Sequence, residues 1–387
     1  MRQNALTAKW PLGLQYFFYF GVMGIFLPYF NLYCYHLDFS GFQIGLLSAA
    51  RTLAIVIFSL AWGILADRFD IRKPLYVLCN VASALIWVLY LFTRDFWPML
   101  IITIAYSLFY GPIIAFLEAF TMEALAKNSD KRSYGNIRVW GSLNFIIVVM
   151  VLGRVIDQFP VNTIVVLILI GSVFQAFFAP LVPGGHARVR APSFMIQMKD
   201  FISPRMIVFL FCSFLMLASH GTYYAFFSIH LEQLGFGRTF IGFAWGLASM
   251  AEIVIMLKSD YVFRRFTIRT VLIFSFFAAA IRWLILFFSV SSPMILFAQL
   301  LHALTYGAFH IACILYMDEL SSKETKTFGQ VANNAVSYGL GMMAGFIFNG
   351  YFFEKYGAYL YIASSLMSLS GGLIFVFSEK MRVQLNS

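Results

Sequence analysis

Apolar runs follow one another along this 387-residue chain with little between them, and that pattern leaves few folds open. A helix needs roughly 20 apolar residues to cross the ~30 Å hydrocarbon core of a bilayer, and in lipid its backbone groups must be satisfied within the segment itself. Twelve runs meet the length: 11–34, 43–65, 74–93, 97–122, 139–157, 162–182, 206–229, 240–262, 270–290, 293–317, 328–352 and 357–378. A soluble domain is roughly half apolar and a quarter charged, whereas here 61% of residues are hydrophobic and 11% charged. No single water-soluble core can hide so much apolar surface. The sequence predicts an all-α membrane protein of twelve transmembrane helices, with the lipid bilayer as its solvent.

The net charge of +10 invites a nucleic-acid reading, and the distribution of that charge argues against it. Of 27 Lys and Arg, 19 fall in the termini and the loops after runs 2, 4, 6, 8 and 10; only Arg94, Arg154, Arg238 and Lys355 lie on the other side. This is the positive-inside pattern. It predicts a multi-pass protein of the plasma membrane, with a bacterial inner membrane as the expected setting and both termini cytoplasmic. Cys34, Cys79, Cys212 and Cys313 are scattered without paired spacing, so neither a disulfide framework nor a metal site is expected. The first run is too long for a signal-peptide core and lacks a small-residue cleavage pattern, so it reads as retained.

The longest polar interval, 183–205, falls near the middle and carries Pro183, Gly184, Gly185, Arg188, Arg190 and Pro192. It reads as a cytoplasmic linker between an N-terminal six-helix half, 1–182, and a C-terminal half, 206–387. An internal repeat supports the division. Ile44-Gly45 opens run 2, with Phe69 and Ile71-Arg72 near its end, and Ile241-Gly242, Phe266 and Ile268-Arg269 recur 197 residues later. Two parallel halves related by an axis along the membrane normal are expected.

Two sets of residues carry chemistry. The loop after run 2 holds Gly63, Asp67, Arg68, Asp70, Arg72 and Lys73. Gly63 permits close helix approach, and Asp67, an acid among cations, can pair in one conformation and release in another. Asp67, Arg68 and Arg72 with Gly63 therefore read as a gating loop. Inside the runs stand Arg51, Glu118, Glu252 and Arg282, with Arg138 at the start of run 5 and His302 and His310 in run 10. An ionisable residue inside a span costs at least ~2.5–3.5 kcal/mol on insertion scales, so each needs a partner or a role.

The loop resembles the major facilitator signature of a Gly, then Asp-Arg, then a basic pair. The membrane charges carry a closer resemblance. Segment 1 reads Phe17-Phe-Tyr-Phe-Gly-Val-Met-Gly24, run 4 carries Leu117-Glu118, and run 5 opens on Tyr134-Gly135-Asn-Ile-Arg138-Val-Trp140-Gly141. Met250-Ala-Glu252, Ile281-Arg282 and Leu301-His302 follow. In order and approximate spacing the chain resembles the lactose permease family of proton symporters. It is also similar to the 3-phenylpropionate permease family, which shares the Tyr-Gly-x-x-Arg-x-Trp-Gly run, a counterpart of His220, Tyr223 and Tyr224, and both run-10 histidines. The resemblance implies that Glu118 and Arg138 are the pair holding solute hydroxyls and that Phe145 stacks on the solute. It implies further that Glu252, Arg282 and His302 couple the proton. Thr305 stands where lactose permease has a carboxylate and Ile255 where it has an amide, so lactose itself is not expected. Arg51 and His310 leave room for an anionic solute, and Tyr223 and Tyr224 are counted with them as solute contacts.

The expected function is proton-coupled uptake of a small organic solute, a sugar or glycoside or an aromatic carboxylate, by alternating access in a monomer. No cofactor beyond the coupling proton is expected, and no nucleophile–base arrangement suggests an enzyme. The alternative is a proton-driven exporter, against which stands the lack of a Gly-Pro-x-x-Gly-Gly-like run in segment 5. Simpler readings stay open: Glu118 and Arg138 as an interhelical salt bridge, Arg282 as a mere counter-ion to Glu252, and His310 and Arg51 as satisfied core residues.

Overall fold

The computed structural model describes residues 2–126, 133–184, 203–322 and 325–385; most of the linker read at 183–205 lies outside the described residues. Among them every regular element is helical. The first six helices are α1 Arg2–Tyr35, α2 Gly41–Phe69, α3 Arg72–Leu91, α4 Phe96–Ala126, α5 Ser133–Gln158 and α6 Thr163–Leu181. The other spanning helices are α7 Pro204–Gln233, α8 Arg238–Leu257, α9 Ile268–Phe288, α10 Ser292–Leu320, α11 over 326–356 and α12 Leu360–Leu385, with a short helix Ser259–Arg265 between α8 and α9.

Among the described residues eleven apolar stretches are long enough to cross a bilayer, and the last, Phe328–Met381, has 54 residues. At 1.5 Å per residue that is about 80 Å of helix, far beyond the ~30 Å core. It is broken at Gly357, whose φ of +49° lies in the left-handed region that glycine enters without a Cβ penalty. Tyr356 therefore ends α11, and twelve passes result among the described residues.

The surface and the interior of this bundle divide as lipid requires. Ile64, Ile101, Phe177, Leu257 and Phe274 are exposed, while Trp87, Trp283, Tyr16, Tyr29 and Tyr106 are fully buried. Buried polar side chains join helices, as is usual where lipid offers no water. Tyr76 donates to Gln15 on α1 (2.9 Å), Gln15 to the Gln175 carbonyl on α6 (2.8 Å) and Gln175 to Asn80 on α3 (2.9 Å).

Two compact units emerge. The first comprises Met1–Phe39, Ala50–Ala191 and Phe236–Phe243; the second comprises Ser40–Ala49, Pro192–Gly235 and Ala244–Ser387. The opening turns of α2 thus pack with the second unit and those of α8 with the first. The repeat explains the exchange. Within the second unit a Cβ on Gly350 would stand 2.9 Å from Gly45 Cα, and Gly45 abuts the Phe346 carbonyl. Within the first, a Cβ on Gly153 would stand 3.0 Å from Thr239 Cα, and Gly242 abuts the Val149 carbonyl. Glycine is what lets the backbones of α2 and α11, and of α5 and α8, approach so closely.

Each crossing ends on an acid. Asp157, at the end of α5, accepts from the Arg238 and Thr239 amides (2.9 and 3.0 Å) and from the Thr239 hydroxyl. Glu354, at the end of α11, accepts from the Gly41 amide at 2.7 Å. A carboxylate at a helix N-terminus satisfies otherwise orphaned N–H groups. Residues 149, 153 and 157 match 346, 350 and 354, and 238 and 242 match 41 and 45, all at the 197-residue offset of the repeat.

Candidate functional site

In the first unit the candidate charges are Arg138, Glu118 and Arg51. Arg138, on the second turn of α5, lays its guanidinium 3.7 Å from the centre of the Phe20 ring and 5.4 Å from that of Tyr16, both on α1. Gly141, one turn further on, allows the approach, because a Cβ there would meet Phe20 Cδ2 at 2.6 Å. Arg138 Nη1 is buried and has no hydrogen-bond partner. Glu118, on α4, is exposed within the spans, and Arg138 is the cation whose charge it feels. Among the described residues no ion pair joins them, so the simple interhelical salt bridge is not formed. Phe145, expected to stack on the solute, is 9% exposed and its backbone lies against Gly24 of α1.

Arg51 on α2 sits elsewhere in this unit. Its guanidinium lies 4.2 Å over the ring of Phe26, its side chain is half-buried, and its Nε is buried without a partner.

The second unit gathers a denser group. Arg282 of α9 is wholly buried and spends its donors on α10: Nε on the Ala298 carbonyl (2.9 Å), Nη2 on Gln299 (3.2 Å), and Nη1 on His302 Nδ1 (2.9 Å) and Thr305 (3.3 Å). It does not simply neutralise Glu252. The imidazole stands between them, with His302 Nε2 3.7 Å from Glu252 Oε2. A guanidinium only donates, so His302 Nδ1 accepts and its proton resides on Nε2, the nitrogen facing Glu252. His302 is almost fully buried, whereas the Glu252 side chain is 28% exposed.

Sequence reasoning overlooked several members of this group. Tyr223, expected at the solute, is fully buried, lies 4.3 Å beneath the Arg282 guanidinium and donates to Gln299 (3.0 Å). Tyr224 is half-buried, with its ring against those of Trp245 and Tyr306. Gln299 was unremarked, and Thr305 supplies a hydroxyl to Arg282 where a carboxylate was noted as missing. His220 is fully buried, its Nδ1 on the Met216 carbonyl (2.9 Å) and its Nε2 without a partner. Ala303–Ala308 of α10 and Asn334–Gly341 of α11 form π-helical turns, a local widening frequent at functional sites. His310, just beyond the first, bonds the Tyr338 hydroxyl of the second at 2.6 Å.

The loop after α2 also differs from expectation. A Cβ on Gly63 would meet nothing within 4 Å, so this glycine does not serve close helix approach. Asp67 accepts from Arg72 (2.7 Å), and Arg72 also pairs with Glu123 of α4 (2.9 Å). Arg68 lies over its neighbour Phe69, 5.6 Å from the ring centre. In the second unit Arg269, 197 residues after Arg72, pairs with Glu319 of α10 (3.2 Å) and Glu379 of α12 (2.6 Å). The repeated feature is an arginine paired with at least one acid on a later helix, while Asp67 has no counterpart, Arg264 standing at the 197-residue offset.

Known proteins share both the sequence pattern and the fold. The sequence model of the MFS_1 like family matches residues 9–363. The "Probable 3-phenylpropionic acid transporter" of Escherichia coli (strain K12) is 26% identical over 376 residues, covering 94% of this chain and 96% of that one. The "Maltose permease" of Geobacillus stearothermophilus is 23% identical, with 97% and 96% covered. Among solved structures, the nucleoside transporter NupG superposes with a TM-score of 0.83 at 18% identity, over 95% of this chain and 98% of that one.

Proposed function

Because this chain belongs to the MFS_1 like family of major facilitator transporters, we propose that it is a proton-coupled symporter that takes up a small organic solute. That it is a transporter and not an enzyme follows from the family; the coupling and the direction are the proposal. Both termini are taken as cytoplasmic, from the charge bias of the loops, and the transport cycle as alternating access.

The observation that carries the coupling is the Arg282–His302–Glu252 chain. While Arg282 donates to His302 Nδ1, that nitrogen can bind no proton, and Nε2 already holds one. His302 is therefore a fixed neutral ring. Glu252 is the acid left to gain and lose the coupling proton, and His302 transmits the pull of Arg282 to it. A carboxylate's hold on a proton depends on its burial and on the distance of nearby cations. A shift of α8 against α9 and α10 would thus load the proton on one side and release it on the other.

Glu118 and Arg138 are proposed as solute contacts of the first half, since the acid, which forms no ion pair with Arg138 among the described residues, offers acceptors and the guanidinium a rigid fork of donors. The experiment concerns Glu252. In proteoliposomes Glu252→Gln, fixed in the neutral state, should lose uphill uptake under a pH gradient and keep solute exchange between two filled compartments. Uphill accumulation at the wild-type level would show that the proton travels by another route or that none is used.

A further inference from the structure

Resting on the coupling reading above, we propose that Gln299 is a positioning residue for it: its amide pins the Arg282 guanidinium against His302 and leaves the charge of Arg282 uncancelled, so that this charge acts on Glu252. The starting point is a cation buried among neutral groups. Arg282 has no accessible surface, and the nearby acid, Glu252, meets His302 and not the guanidinium. Its acceptors are the Ala298 carbonyl, the Gln299 amide, the Thr305 hydroxyl and the His302 ring. The ring faces of Tyr223 and Trp283 lie 4.3 and 4.7 Å away. A buried cation is costly unless an acid answers it at contact, so the choice of these partners needs a reason.

Gln299 supplies one. Residues three and four apart are neighbours on a helix, so Ala298, Gln299 and His302 share the face of α10 that receives Arg282. A guanidinium only donates; the oxygen of the amide therefore faces Arg282 Nη2 at 3.2 Å, and the same oxygen accepts from the Tyr223 hydroxyl at 3.0 Å. The amide nitrogen donates to the Ile295 carbonyl of its own helix at 3.2 Å. The side chain is thus held from three sides and is fully buried. Because the guanidinium is planar and rigid, fixing Nε and Nη2 fixes the direction of Nη1, which is aimed at His302 Nδ1.

Two substitutions separate the anchor from the charge. A carboxylate at 299 would fill the same space and still accept from Nη2, yet it would cancel the charge of Arg282 at contact. An apolar side chain would leave the charge and remove the anchor. The amide does neither: it holds the cation and spares its charge, and His302 then passes the pull of that charge to Glu252.

The test needs no solute and uses purified full-length protein. The protonated carboxyl of Glu252 is followed against pH by infrared spectroscopy, its band assigned by its loss in Glu252→Gln. A nearby cation favours the ionised carboxylate. In Gln299→Glu the cation is cancelled, so Glu252 should keep its proton to higher pH, with a midpoint raised by about one pH unit or more. The band of the introduced carboxyl is read separately in the double variant Gln299→Glu/Glu252→Gln. Nitrogen NMR of histidine-labelled protein should show His302 with its proton on Nε2 in wild type and Gln299→Glu, and a mixture of tautomers in Gln299→Leu. A residue that merely packs would lower the thermal midpoint in both variants and move neither the Glu252 titration nor the tautomer. An unmoved Glu252 midpoint in Gln299→Glu overturns the proposal, as does a single Nε2–H tautomer in folded Gln299→Leu. If Gln299→Leu does not fold, the Gln299→Glu midpoint decides alone. A raised midpoint in Gln299→Glu together with uphill uptake that survives Glu252→Gln overturns the coupling and spares the positioning. Loss of uphill uptake in Glu252→Gln with an unmoved midpoint in Gln299→Glu does the reverse.

Discussion

Arg72 shows how a residue's weight differs between sequence and structure. The loop signature draws the eye to Asp67, the one acid among cations, yet Arg72 is the hub: it holds Asp67 at 2.7 Å and Glu123 at 2.9 Å. Asp67→Asn leaves the Arg72–Glu123 pair intact, whereas Arg72→Gln frees two acids at once. If the loop gates the transport cycle, turnover should fall several-fold more in Arg72→Gln than in Asp67→Asn, with equilibrium solute affinity nearly unchanged in both. Equal turnover, or a loss confined to affinity, would remove the gate. Charges were legible because each stands out in an apolar run, and Arg51, Glu118, Glu252 and Arg282 were all found that way. Their neighbours were not. Glu123 falls one residue past the end read for run 4, Gln299 is chemically ordinary, and spacing does not tell that the Tyr223 ring meets the Arg282 guanidinium.

Whole helices were read more securely than their contacts. The period and length of the apolar runs predict twelve passes, and the break at Gly357 delivers the last two from a continuous stretch of 54 residues. The 197-residue repeat was visible in Ile44-Gly45 and Ile241-Gly242, and the structure gives it a physical cause in the two glycine crossings. The acid caps escaped notice because Asp157 and Glu354 differ in side-chain length and lie in opposite halves of the chain. That difference makes them testable. Losing an N-cap carboxylate costs about 1 kcal/mol, with a range of roughly 0.5–2. Asp157 collects three donors and Glu354 one, so Asp157→Asn should lower the thermal midpoint in detergent more than Glu354→Gln. The reverse order would mean that the caps do not hold the openings of α8 and α2. The π-helical turns at Ala303–Ala308 and Asn334–Gly341 left no mark in the sequence, since an i→i+5 widening changes no residue type.

At the scale of the molecule charge conservation bounds the proposed coupling. Glu252 is the single acid assigned to the coupling proton, with Thr305 hydroxylic where the related symporters carry a second carboxylate. One cycle then moves one proton. If the solute is a monoanion, proton and solute cross as a neutral pair, and the membrane potential does no work on the loaded carrier. If the solute is a neutral sugar or nucleoside, the same cycle moves one positive charge. The two cases differ widely. A potential of 100 mV acts on one charge with about 2.3 kcal/mol, enough for roughly fiftyfold accumulation. One pH unit acting on one proton yields about tenfold accumulation in either case. In proteoliposomes loaded with potassium and treated with valinomycin, an inside-negative potential of this size should therefore raise steady-state uptake of a neutral solute about fiftyfold and leave that of a monoanion unchanged. A pH step of one unit, acid outside, should raise either about tenfold. Monoanion uptake that climbs with the potential, or neutral uptake that climbs beyond the work done on one charge, would show a second coupling proton. Counting protons per solute with a pH dye checks this independently: two protons remove Glu252 as the single carrier.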